Sequence, residues 1–120
     1  MKYFAVALTI LLSTGCAVGP PPASMPAKLT ILFNEASAYQ AAAGNRLCAD
    51  PSLRPRFEDV KRRLALATET LVSRYGPAQA QAGRTAVISP SRVCSNPSAA
   101  ATAVANFEAA VSNLESGLRQ

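Results

Sequence analysis

Two similar hexapeptides constrain this chain more than anything else in it: Leu47-Cys48-Ala49-Asp50-Pro51-Ser52 and Val93-Cys94-Ser95-Asn96-Pro97-Ser98. Each ends in the signature of a helix start. Asp50 and Asn96 carry side-chain oxygens that accept the first free backbone N–H groups. Pro51 and Pro97 fall at the first helical position, where no N–H is needed. Apolar residues follow at alternating spacings of three and four, the mark of one helix face. They are Phe57, Val60, Leu64, Ala67 and Leu71 after the first hexapeptide, and Val104, Phe107, Val111, Leu114 and Leu118 after the second. Leu29, Leu32, Ala36, Tyr39 and Ala43 form a third stripe upstream, closed by Gly44-Asn45. Gly76-Pro77 ends the second helix after Tyr75, while Pro55 complicates its first turn and points to a start near Ser52. Aromatic residues are 6% of the chain and Trp is absent, so Leu, Val and Ala with a few Phe and Tyr must build the core. Small residues of that kind favour helices packed close together. The expected fold is all-α, a small three-helix bundle.

The N-terminus has a different character. Met1-Lys2-Tyr3 is a short basic start, Phe4 to Leu12 is a nine-residue apolar stretch, and Ser13, Thr14 and Gly15 are small. That is the layout of a secretory signal peptide. The uncharged run ends at Gly19 and the prolines, short of the roughly 20 residues that span a bilayer. Leu12-Ser13-Thr14-Gly15-Cys16 resembles the lipobox of bacterial lipoproteins, although Ser13 stands where the family usually has Leu. The resemblance implies residues 1–15 as the signal peptide and Cys16 as the acylated first residue, carrying palmitate or a similar chain. Ala17 after that cysteine implies the outer membrane. Ordinary cleavage after Ala17 is the alternative and would remove Cys16, since Gly15 and Ala17 satisfy the small-x-small pattern. Residues 16–27, with Pro20-Pro21-Pro22, read as a tether in extended polyproline form. Residues 28–120 are then the folded part.

Either route takes Cys16 out of the thiol pool, which leaves Cys48 and Cys94 for an oxidising compartment to pair. Their bond would close a loop of about 46 residues and stabilise the fold by roughly 4 kcal/mol at most. It would also place the second and third helix starts at one end, so those helices should run parallel. The chain must then return between Tyr75 and Val93 through a long crossover loop. Helix two is about 33 Å long, and the intervening residues span up to about 55 Å extended. The second halves repeat as well: Phe57-Glu58 precedes Leu64 as Phe107-Glu108 precedes Leu114. An internal duplication or two independently similar helix starts would each account for this.

Chemistry is harder to find. The chain has no His, which removes the usual base of Ser and Cys nucleophiles and the commonest zinc ligand. Phosphate-binding glycine loops and nucleophile elbows are absent from the sequence. Glu58 and Asp59 diverge by about 100° on a helix, and Glu108 and Glu115 are about two turns apart. No catalytic residue, cofactor or metal is expected. The net charge of +5 is too dispersed for nucleic acid and suits loose contact with an anionic surface. Its densest part is Arg54, Arg56, Lys61, Arg62 and Arg63, the candidate partner-binding residues. Glu58 and Asp59 lie four residues before Arg62 and Arg63, which favours ion pairs along the helix. Arg54 and Arg56 have no such partner and are the stronger candidates.

These features are those of a non-enzymatic cell-envelope lipoprotein on the periplasmic face of a membrane, acting as a protein-binding accessory or structural component. The layout is similar to that of secretion-system pilot proteins, with no residue motif in common. A periplasmic immunity or inhibitor protein fits the same size, disulfide and tether. So does a binder of anionic lipid or cell-wall polymer through the arginine-rich face.

Overall fold

The computed structural model describes residues 24–80 and 92–120. The expected signal peptide, Cys16, most of the tether and the middle of the expected crossover loop lie outside these residues. Among the described residues the chain is mostly helical, with no strand. Helix α1 is Ala27–Gly44, α2 is Arg54–Tyr75, α3 includes residues 77–80, and α4 is Pro97–Leu118. Short 3-10 turns, Leu47–Ala49 and Pro51–Leu53, join α1 to α2.

Cys48 and Cys94 are bonded, as expected for the two cysteines left once Cys16 is set aside. Their shared end is also where the caps act. The Asn96 side chain accepts the Ala99 N–H at 3.1 Å, and Pro97 opens α4. Asp50 accepts the Ser52 N–H and hydroxyl at 3.1 and 2.6 Å, but it caps a 3-10 turn, with α2 beginning only at Arg54. Pro55 explains the delay. It has no N–H for the Pro51 carbonyl, and its ring would collide with that carbonyl in a continuous α-helix.

Parallel α2 and α4 are visible in constant register. Arg56 meets Glu108 and Arg63 meets Glu115, both across 52 residues of sequence. Helix α1 runs the other way. Its Leu29 and Leu32 lie beside Gly117 near the end of α4, while the Asn45 carbonyl accepts the Val93 N–H at 2.8 Å at the other end. Helix α4 is central, packing most extensively on α1 and then on α2, which touch each other little.

All five apolar residues of the α2 stripe and all five of the α4 stripe are buried, joined by Ala100 and Ala110. The Phe57 and Phe107 rings meet at 5.5 Å across α2 and α4. Each fully buried side chain such as Phe107 or Leu114 contributes about 1.5–3 kcal/mol by leaving water.

Two expectations are corrected. In α1, Tyr39 is 39% exposed and Phe33 is buried in its place, while Leu32 is only half-buried. Apolar and small residues surround α1 on all sides, so spacing alone could not select its inner face. The second correction concerns the chain after Tyr75, which does not enter a loop. Gly76, at φ 92°, turns it directly into α3, so the described residues contain four helices. Pro77 stops α2 and starts α3 for one reason: its fixed φ and missing N–H suit a first helical position. Ala80 of α3 is buried.

Candidate functional site

The basic residues of α2 divide into those that pair along the helix, those that reach α4, and two, Arg54 and Arg74, that do neither. Glu58 pairs with Lys61 at 3.8 Å and Asp59 with Arg62, each three residues apart where four were expected. The closer pairing leaves Arg63 free to cross to α4. There its Nε and Nη2 donate to the two Glu115 oxygens at 3.2 and 2.5 Å, and Nη2 also donates to the Ser112 hydroxyl at 3.0 Å. Arg56 reaches α4 as well, donating to Glu108 at 2.6 Å. Arg54 has no carboxylate partner.

These contacts set the ionisation of the acids. The hydrogen bond from Arg63 lowers the pKa of Glu115 below the usual glutamate range, against desolvation, with the Arg63 and Arg119 charges adding to it. Glu108 is lowered mainly by its hydrogen bond from Arg56. The Glu115 hydrogen bond in turn raises the pKa of Arg63. At neutral pH both glutamates are acceptors locked to arginines, and they tie α2 to α4. Of the sequence candidates, then, Arg56, Lys61, Arg62 and Arg63 are engaged within the fold.

Two other arginines join Arg54 at the disulfide end. Arg46 and Arg92 each stand two residues before a bonded cysteine, in Arg46-Leu47-Cys48 and Arg92-Val93-Cys94. The Val93-to-Asn45 hydrogen bond lies between them, with one arginine next to each partner residue. All seven Asp and Glu residues of the chain are among the described residues. Glu58, Asp59, Glu108 and Glu115 are in ion pairs, Asp50 serves its turn, and Glu35 and Glu69 pair with no cation among the described residues. No carboxylate side chain therefore neutralises Arg46, Arg54 or Arg92. Sequence reading missed Arg46 and Arg92 because they are isolated in sequence. Their common position before the two cysteines was the available signal.

At the opposite end, Lys28 donates to the Gln120 side chain at 3.2 Å and Arg119 to the Ser116 hydroxyl at 3.1 Å. Two clefts flank α1, of about 100 Å³ against α2 at Phe33, Gln40, Lys61 and Leu64, and about 170 Å³ against α4 at Glu35, Tyr39 and Asn106. Both are smaller than the several hundred Å³ of a typical organic-ligand pocket. Among the described residues, no cluster of three or more His, Cys, Asp or Glu could hold a metal ion. No described helix is long and apolar enough to cross a membrane. The sequence matches no protein-family model, no curated protein and no solved structure.

Proposed function

We propose that this protein is a non-enzymatic lipoprotein of the bacterial cell envelope that binds another protein, as an assembly accessory or structural component. The observation that carries this reading is the Cys48–Cys94 disulfide. Such bonds persist in oxidising compartments, which agrees with a signal peptide and leaves Cys16 as the one cysteine for acylation. In this reading α1, α2 and α4 are the members of a three-helix bundle. Helix α3 then opens the return from the end of α2 toward the start of the parallel α4. The anchor places the protein on the periplasmic face of the outer membrane.

Growth with an alkyne palmitate analogue tests the anchor. The wild-type chain should be labelled and sediment with membranes, and Cys16→Ser should be unlabelled and soluble. Equal labelling of both would sink the assignment of Cys16. Cross-linking of the tagged full chain in intact cells tests the rest: one dominant protein partner supports it, and recovery of only the chain itself and lipid opposes it.

A second reading has one observation in its favour. Lys28, Arg74 and Arg119 stand where α1 begins and where α2 and α4 end, the side from which the tether arrives. Cations there suit an anionic membrane surface. This reading expects Cys16→Ser to stay on membranes at low salt and to leave as salt rises.

A further inference from the structure

We propose that the disulfide end is a docking surface for an acidic segment of a partner protein, with Arg46, Arg54 and Arg92 as its contacts. This deepens the protein-binding reading above and takes the membrane-distal position of the surface from it. Three observations support it. First, these arginines have no carboxylate partner: Glu58, Asp59, Glu108 and Glu115 are in ion pairs with other residues, and Asp50 serves its own turn. Arg56, Lys61, Arg62 and Arg63 show that this fold readily pairs its cations when acids are in reach.

Second, fold stability does not account for the placement of Arg54. Arg54 opens α2, Arg56 follows in the same turn, and the first turns of α2 and α4 contain no acid. The start of a helix favours negative charge, and a cation there is unfavourable by up to about 1 kcal/mol. Parallel α2 and α4 place two such starts at one end, so Arg54 stands in an unfavourable setting until an anion arrives, while Arg46 follows the C-terminal end of α1, which favours a cation. Lys28, Arg74 and Arg119 differ in this respect. Arg74 lies in the last turn of α2, where the helix favours a cation, and the other two already have side-chain partners.

Third, position argues for protein over lipid. The chain reaches the helices through Met25 and Ala27, beside the C-terminal part of α4. Arg46, Arg54 and Arg92 lie a helix length away, about 33 Å for α2. An anchored molecule thus presents them away from its own membrane, toward other proteins of the compartment.

The test uses the full chain in detergent, a fluorescent glutamate-rich 20-residue peptide, and vesicles containing phosphatidylglycerol. The triple variant Arg46→Gln, Arg54→Gln, Arg92→Gln should bind the peptide at least about tenfold more weakly than wild type. Lys28→Gln, Arg74→Gln, Arg119→Gln removes equal charge and should change the affinity by less than about twofold. Equal losses in the two variants would mean net charge alone acts, which overturns the proposal. Loss of vesicle binding but not of peptide binding in the first variant would overturn it in favour of lipid. A single cooperative thermal unfolding of each variant shows that the fold is intact. Cys16→Ser should bind the peptide as wild type does, whether or not Cys16 is acylated in cells. A failure of the anchor therefore stays separate from a failure of the docking surface.

Discussion

At the Cys48–Cys94 end, a covalent bond, the Asp50 and Asn96 caps, the Val93-to-Asn45 hydrogen bond and the tilted Phe57–Phe107 pair converge within a few turns. The opposite end has Met25, Leu29 and Leu118 packed without a cross-link, Gly117 against Leu29 and Leu32, and one exposed Lys28-to-Gln120 contact. The first end is held by contacts that tolerate water and charge; the second depends on apolar surfaces staying in register. That difference shows why spare arginines can be tolerated where they stand. An end closed by a disulfide can absorb the repulsion of unpaired cations, which an end closed only by packing could not do so easily.

Removing the disulfide should produce the largest change. Cys48→Ser with Cys94→Ser should lose up to about 4 kcal/mol for a closed loop of this length, read by urea unfolding of the oxidised wild type against the variant. Hydrogen exchange should quicken first at residues 45–54 and 92–97, and later around Leu114 and Leu118. A loss below about 1 kcal/mol would mean that the caps and ring contacts hold that end unaided.

Between the two ends lies the ion-paired seam of α2 and α4, and its effect should be smaller. Arg63 and Glu115 are bidentate but about 30% exposed, so solvent screens them. Arg63→Gln should lose about 1 kcal/mol at pH 7. The pH dependence has a definite sign. The pKa values of Glu108 and Glu115 are depressed in the fold, so their contribution is complete above the unfolded glutamate value. It is lost as pH falls below about 5 and through the depressed folded values. Urea midpoints of wild type and Arg63→Gln should therefore converge as the pH is lowered toward about 2. A gap that persisted at that pH would assign Arg63 a packing role through its aliphatic stem.

What the sequence disclosed follows the same division. The stripes of α2 and α4 were legible because polar and charged residues fill their outer faces and leave one apolar face. Helix α1 was legible as a helix but not as a face: Phe33 and Tyr39 are both aromatic, and only the nearby α2 and α4 decide which is covered. The parallel course of α2 and α4 followed from two cysteines placed identically before two helices. Helix α3 was missed because Gly76-Pro77 was read only as a stop, though proline can also open a helix. The interhelical pairs of Arg56 and Arg63 were invisible because they depend on register across 52 residues, which no local spacing contains. Arg46 and Arg92 were overlooked for a related reason, being brought together only by the disulfide.

The smallest expected effects compare one glycine from each end. A Cβ on Gly44 would rest 3.4 Å from the Phe57 ring, an ordinary contact, and Gly44 does not need a positive φ. Gly44→Ala should therefore be neutral or stabilising by up to about 0.5 kcal/mol through helix propensity. A Cβ on Gly117 would come within 2.9 Å of Leu32 Cδ1 and 3.0 Å of Leu29 Cδ2. Both atoms are the tips of flexible side chains and can retreat, but only by loosening the apolar contacts on which that end relies. Gly117→Ala should gain the same propensity and lose it again in packing, ending about 0.5–1 kcal/mol less favourable than Gly44→Ala. Gly117→Val should widen the gap, because a branched side chain cannot be accommodated by two leucine tips. Equal stabilisation by the two alanines would show that α1 and α4 separate at no cost beside Gly117. The Gly117 end would then be the more yielding of the two, with its glycine a matter of sequence and not of fit.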